Sequence, residues 1–191
     1  TLLLQSLERM RHDLRESFAQ AVSGTDLIVG ARTGPVQLML YAVFRVGGAT
    51  NQIRMRSVQD IAEHRAVAWV VPIALGDSHR GHRVVGTTAA FFNHYRHGEA
   101  RALVFAVGRP FAEAPARAED IFEVVIGAEV AARHGYQLGQ RIVLSHGSGH
   151  IGLPEHGDKP FRVVGILQRT GTPVDRTVHV GLAAIEAIHL D

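Results

Sequence analysis

Residues 124–144 read VVIGAEVAARHGYQLGQRIVL and contain the clearest succession of structural elements in the chain. A strand is predicted over 121–126, because its apolar and β-branched residues come in a short run. Residues 127–134 predict a short helix, and Gly135 is the residue type that most readily closes a helix. Residues 141–145 predict a further strand. A strand, a helix and a strand in close succession indicate a domain that combines helices with a sheet.

The flanking sequence continues this mixture of elements. Helices are predicted over 3–21, 35–45, 57–64 and 181–190. Strands are predicted over 25–30, 66–75, 82–88, 101–107, 161–168 and 177–180. The pattern predicts an α+β protein in which helices lie beside a sheet and a β-rich insert interrupts the chain.

The composition excludes several kinds of chemistry. The 191 residues are 46% hydrophobic, which is typical of a folded chain with a sizeable core. The absence of cysteine excludes disulfides, thiolate metal sites and thiol nucleophiles. A formal net charge of +2, from 20 basic and 18 acidic side chains, does not favour a nucleic-acid partner.

Four phrases in the chain carry a resemblance to a known family. They are VVGTTAAFF (84–92), VGRPF (107–111), the stretch 124–144 quoted above, and FRVVGILQRTGTPVDRTVHVGL (161–182). Together and in this order, they resemble the periplasmic core domain of MacB-like ABC transporter permeases, in the FtsX/LolC-like superfamily. The resemblance covers most of the chain.

The resemblance implies a two-lobed periplasmic domain. Residues 1–88 and 161–191 would form a porter-like, βαβ-rich lobe that includes an N-terminal stalk helix. Residues 89–160 would form a smaller, inserted β-rich lobe. The chain starts at Thr1 rather than Met, and we interpret it as an excised piece of a longer protein.

The resemblance also implies a function and a location. The domain would lie on the periplasmic side of the bacterial inner membrane, tethered by transmembrane helices outside this chain. It would transmit ATP-driven motion to cargo or to a periplasmic partner, and the histidine-rich stretches of the chain are compatible with metal-linked transport. The implied partners are an ABC ATPase subunit, a second permease copy or paralogue, and a periplasmic protein or lipoprotein.

An apolar stripe runs along the first predicted helix, with steps of three and four residues. Its members are Leu3, Leu7, Met10, Leu14 and Phe18. One interpretation is an ordinary core face. The other, which the coiled-coil-like spacing at a chain end favours, is a stalk that packs against the C-terminal helix and against a partner stalk.

Two histidine-rich stretches are candidates for a metal site. SHGSGHIGLPEH (145–156) contains His146, His150 and His156, and GDSHRGH (76–82) contains His79 and His82. Imidazole is a good Zn²⁺ ligand, and glycines would let a loop bring several rings together. Neither stretch matches a fixed motif, so a Zn²⁺ site and exposed loop histidines both remain open. A soluble zinc-binding module or metalloenzyme is the alternative function, although no cofactor is required by the family.

The sequence offers no set of catalytic residues. Ser145, His146 and Asp77 supply residue types that occur in nucleophilic catalysis, but such sites are defined by geometry and not by adjacent letters. The chain lacks a G-x-S-x-G elbow and a G-x-x-x-x-G-K-[ST] phosphate loop. We therefore expect no enzyme activity here and place ATP hydrolysis in a separate subunit.

Overall fold

The computed structural model describes residues 2–48, 51–147 and 159–189. The helices are α1 (Leu2–Ala21), α2 (Pro35–Ala42), α3 (Met55–Ala62), α4 (Ala90–His94), α5 (Ala128–His134) and α6 (Leu182–Ile188). The strands are β1 (Ala74–His79), β2 (His82–Thr87), β3 (Arg96–His97), β4 (Arg101–Ala102), β5 (Phe105–Gly108), β6 (Glu123–Ile126), β7 (Arg141–Ile142), β8 (Ser145–His146), β9 (Phe161–Leu167) and β10 (Thr177–Gly181). Short 3₁₀ turns span Ala118–Ile121 and Pro173–Arg176.

One mixed sheet organises the described part of the chain. Its strands lie in the order β5-β9-β6-β10-β2-β1-β8, and β7 pairs with the first residues of β9. The pairs β2–β10 and β6–β9 are parallel, and the remaining neighbours are antiparallel. β3 and β4 form a separate small hairpin. The predicted combination of helices with a sheet is confirmed.

Apolar side chains cover both faces of the central strands. In β6, Val124 and Ile126 belong to a cluster with residues of α5 and α6, whereas Val125 belongs to a cluster that includes Phe91 and Phe92. This division follows the two-residue period of a strand, which sends successive side chains to opposite faces. Burial on both faces explains why the central strands read as nearly continuous apolar runs.

α5 begins and ends at glycines for two different reasons. Gly135 adopts φ 66°, the left-handed conformation that closes a helix, as predicted. At the other end, a side chain on Gly127 would run into the carbonyl oxygens of Val174 and Asp175. The absent side chain lets the start of α5 lie directly against the Pro173–Arg176 turn.

Two predicted strands are corrected by the structure. Residues 25–30 form no strand, and Leu27 and Val29 are 75% and 49% exposed. The apolar run 66–75 starts in a turn and enters the sheet only at Ala74. Pro72 has no N–H to contribute to a strand ladder, which helps to explain the late entry.

The sheet crosses the boundary between the two predicted lobes. Strands from residues 89–160 (β5, β6, β7 and β8) pair in one sheet with strands from the two chain ends (β9, β10, β2 and β1). The division into lobes stays a prediction. Within the described ranges, no helix combines the length and hydropathy needed to cross a membrane.

Candidate functional site

The end of α1 is bonded to the body of the domain. The carbonyl of Gln20 accepts a hydrogen bond from the Gly98 N–H at 2.8 Å, and the Tyr95 hydroxyl donates to the Ala21 carbonyl. The last carbonyls of a helix otherwise need water or a cap, so these bonds complete the helix end. The Ser23 N–H adds a 3.0 Å bond to the Arg96 carbonyl and extends the β3–β4 hairpin.

Tyr95 also links α1 to the loop between β9 and β10. Its hydroxyl oxygen lies 3.3 Å from Oγ1 of Thr172, which in turn lies 2.8 Å from Oγ1 of Thr170. The buried carboxylate of Asp175 accepts from the N–H and hydroxyl of Thr170 and from the Gly171 N–H, each at 2.8 Å. Burial raises the pKa of Tyr95, so its hydroxyl stays a neutral donor.

The structure describes the side chain of one predicted stalk residue, Phe18. Phe18 is half-buried near the anchored end of α1, whereas the side chains of Leu3, Leu7, Met10 and Leu14 lie outside the described structure. α6 packs on β2 and β10 through buried side chains that include Ala184 and Ile188. Packing of the stripe on α6 and on a partner stalk therefore stays a prediction.

His79 and His82 lie at the two ends of the β1–β2 turn, where Arg80 and Gly81 both have positive φ. Nδ1 of His79 donates to the Val143 carbonyl at 2.7 Å, and Nδ1 of His82 donates to the Arg176 carbonyl at 3.1 Å. A carbonyl only accepts, so in the neutral rings each Nε2 is left as an acceptor.

The partners of these two Nε2 atoms come from the end of α5. The Tyr136 hydroxyl donates to Nε2 of His79 at 2.7 Å, and Nε2 of His134 lies 3.0 Å from Nε2 of His82. Burial is the main cause that lowers the pKa of His79, His82 and His134, so the rings are neutral at pH 7. His134 was not among the predicted site residues.

The remaining predicted histidines are not brought to this cluster by the described structure. The backbone of His146 pairs with Asp77 of β1, and its side chain lies outside the described structure. His150 and His156 also lie outside it. Metal binding by these three residues stays a prediction.

A second group of metal-ligand atoms lies on α1. In His12, Asp13 and Glu16, one ligand atom from each residue lies within 4.8 Å of the others, and all three side chains are exposed. Exposed acidic groups on a helix commonly lie this close without binding an ion. We give this group no function.

A buried histidine lies on the other face of the sheet. His179 of β10 is 0% exposed and packs against Phe91 and Phe92, with ring centroids 5.1 and 6.0 Å away. Neither of its ring nitrogens has a hydrogen-bond partner in the described structure, and the same holds for Nε and Nη1 of Arg45. Burial, followed by the charge of Arg45, lowers the pKa of His179 to about 3. The ring is therefore an uncharged part of the core.

Glu123, the first residue of β6, accepts several hydrogen bonds from neighbouring arginines. Its carboxylate is 1% exposed and accepts bonds from Arg109 at 2.6 and 2.9 Å and from Arg162 at 3.0 Å. Burial raises the pKa of Glu123, but the bonds from Arg109 and from the Ala112 N–H outweigh it, and the net shift is downward. Arg109 lies in the VGRPF phrase, and its role as a structural ion pair was not predicted.

Comparison with protein families gives the class of this domain. It is the part of an ABC-type transporter permease that lies outside the cytoplasm. The chain belongs to the MacB-like periplasmic core domain family, whose model matches residues 7–189. The predicted resemblance is confirmed, and a family of permease domains gives no support to the metalloenzyme alternative.

Two solved structures are similar to about two thirds of this chain. One is the extracellular domain of the noncanonic ABC-type transporter YknZ from Gram-positive bacteria, with 15% identity, a TM-score of 0.44 and coverage of 69% of this chain and 64% of that chain. The other is a domain of a putative permease protein from Porphyromonas gingivalis, with 12% identity, a TM-score of 0.42 and coverage of 67% and 51%. The chain thus spans only part of each. A comparison with curated proteins gives no match.

Proposed function

We propose that this domain transmits ATP-driven motion to cargo or to a periplasmic partner. In this proposal, a separate ATPase subunit hydrolyses ATP in the cytoplasm, and two permease copies or paralogues move relative to one another. α1 carries the displacement outward as a stalk. The family supports the setting, on the periplasmic side of the inner membrane, and the anchored end of α1 supports the mechanism.

The bonds at residues 20–23 are the observation on which the proposal depends. A stalk that ended in a solvated linker would move without moving the sheet. Here the Gln20 and Ala21 carbonyls and the Ser23 N–H are all bonded to residues 95–98. Tyr95 also contacts Thr172, in the loop that leads into the central strand β10. A displacement of α1 is thereby passed to the sheet.

Distance measurements between spin labels test this coupling. The chain has no cysteine, so labels at Glu16→Cys on α1 and Ala132→Cys on α5 are specific once other cysteines of the permease are removed. Both positions are exposed. In the full permease with its ATPase, we expect the distance between the two labels of one copy to be the same with and without nucleotide. The distance between Glu16→Cys labels of the two copies should change. A nucleotide-dependent change within one copy would refute rigid coupling.

Substitution of Tyr95 tests the contact itself. Tyr95→Phe keeps the ring but removes the bond to the Ala21 carbonyl, so transport per ATP hydrolysed should fall while ATP hydrolysis continues. Tyr41→Phe is the matched control, because the Tyr41 hydroxyl also donates to a backbone carbonyl, that of Leu75 at 2.8 Å, away from α1. Equal transport by both variants would contradict the role of Tyr95.

A further inference from the structure

Nε2 of His82 and Nε2 of His134 face each other, and this geometry suits either a hydrogen bond or a shared ligand. The Nδ1 proton of His82 is committed to the Arg176 carbonyl, so its Nε2 presents a lone pair toward His134, 3.0 Å away. In the resting protein this lone pair accepts a hydrogen bond from Nε2–H of His134. If His134 takes its other neutral tautomer, two lone pairs face one small volume. Two facing imidazole lone pairs are the arrangement that a metal ion occupies.

We propose that Nε2 of His82 and Nε2 of His134 together bind a borderline divalent metal ion, with Zn²⁺ as the best match. Imidazole nitrogen suits Zn²⁺, Cu²⁺ and Ni²⁺ better than it suits Mg²⁺ or Ca²⁺. The proposal concerns a site joining the β1–β2 turn to the end of α5. It is independent of the proposed mechanical function.

The separation of the two nitrogens fits such a site, which the rings reach by turning toward a shared point. Zn²⁺ lies about 2.0–2.1 Å from an imidazole nitrogen, so two nitrogens 3.0 Å apart subtend an angle of about 94° at the ion. Widening their separation by about 0.3 Å gives the tetrahedral angle. His134 is half-buried at the end of its helix, so its ring is only partly enclosed by the protein. Water would complete the coordination.

The surroundings of the pair orient its ligands. A ligating histidine usually donates its other N–H to a carbonyl or carboxylate, and His82 already does so through Nδ1. Tyr136 stacks on His134 with ring centroids 5.3 Å apart and holds His79 through its hydroxyl. Because Nε2 of His79 accepts a hydrogen bond from that hydroxyl, we assign His79 a positioning role and not a ligand role.

Nearby charges set the expected affinity. The positive charges of Arg133 and Arg176 disfavour a further positive charge at His82. The charge of Arg80 has the same effect at His134. The carboxylate of Glu129, by contrast, favours positive charge at His82. Two protein ligands within a mainly positive environment should give a dissociation constant on the order of micromolar, weaker than a closed structural Zn²⁺ site.

Zn²⁺ titration of the 191-residue chain by calorimetry tests the proposal. We expect one site of about this affinity, and roughly tenfold or greater weakening in both His82→Ala and His134→Ala. Because His82 is buried, His82→Ala could unfold. His134→Gln therefore serves as the second variant, with circular dichroism without metal to show that the fold is retained. Nitrogen-detected NMR of the imidazoles should show that Zn²⁺ shifts Nε2 of His82 and His134 and leaves Nε2 of His79 hydrogen-bonded.

Two controls separate this site from its rivals on the same chain. His12→Gln alters the exposed group on α1, and the double variant His150→Ala, His156→Ala alters the second histidine-rich stretch. Both should bind Zn²⁺ as the wild type does. The proposal is overturned if no Zn²⁺ binds at millimolar concentration, or if a control variant loses the site while folded His134→Gln retains it.

Discussion

The buried ring of His179 should make this domain less stable at acidic pH, and a substitution that removes the ring should remove that loss of stability. The ring has a pKa of about 3 in the folded chain and about 6.5 when exposed. The unfolded chain therefore binds a proton in the interval between these values, and the folded chain does not. For a depressed pKa the sign is fixed: stability is complete above about pH 6.5 and is lost as the pH falls toward 3.

The magnitude follows from the two pKa values. Proton linkage with pKa values of about 3 and 6.5 removes about 2 kcal/mol of unfolding free energy between pH 7 and pH 5. His179→Leu keeps a similar volume between Phe91 and Phe92 and cannot bind a proton. It also removes two buried ring nitrogens that lack partners in the described structure, which should add about 1 kcal/mol at pH 7. The variant should thus exceed the wild type by about 1 kcal/mol at pH 7 and about 3 kcal/mol at pH 5.

Urea unfolding at pH 7, 6 and 5 measures both quantities. The other buried histidines titrate alike in the wild type and in His179→Leu, so the difference between the two proteins isolates His179. His12→Gln, which removes an exposed imidazole on α1, should show the wild-type pH dependence. A stability difference between His179→Leu and wild type that stays constant from pH 7 to pH 5 would refute the buried, neutral state of the ring.

Two further substitutions test the ion pair and the start of α5. Glu123→Gln should lower the unfolding free energy by about 2 kcal/mol at pH 7, because the bonds from Arg109 lose their charge. The pKa of Glu123 is depressed, so this difference should shrink below about pH 4.5, and an unchanged difference at pH 3 would contradict the assignment. Gly127→Ala should lower the unfolding free energy in urea by about 3 kcal/mol, because its Cβ would meet backbone oxygens. Gly34→Ala is the control: Gly34 is the open N-cap of α2 and has similar φ and ψ. Its loss of unfolding free energy should be less than about 1 kcal/mol. Equal losses would show that the close approach at Gly127 is unimportant.

The strongest patterns in the sequence predicted their elements well. The three- and four-residue steps of α1 and the glycine after α5 gave both helices nearly to the residue. Local pattern fails where partners decide the outcome. Residues 25–30 have strand-like composition but pair with no strand in the described structure. Trp69, in the apolar run 66–75, is 36% exposed and stacks on His94. A strand requires a partner, and its own sequence does not show whether one is available.

The histidine cluster shows the same limit at the level of a site. The sequence predicts His79 and His82 as candidate metal ligands. The structure places both rings at the β1–β2 turn with their Nδ1 atoms bonded to carbonyls. His134 was read only as the last residue of a short helix. Its proximity to His82 arises from the packing of α5 beside the sheet, which no local spacing encodes. The signal that could have found it is the HGY triplet at 134–136, where a histidine and a tyrosine flank a helix-ending glycine.

The position of β10 has a consequence for how this domain comes to be folded. β10 lies between β2 and β6, and Thr177 pairs with Arg83, so the centre of the sheet joins segments far apart in the chain. β2 therefore cannot complete its pairing in the sheet until β10, near the end of the chain, is available. Such non-local pairing slows folding and exposes intermediates to aggregation. The central part of this sheet should therefore form late in folding, when its last strand is inserted.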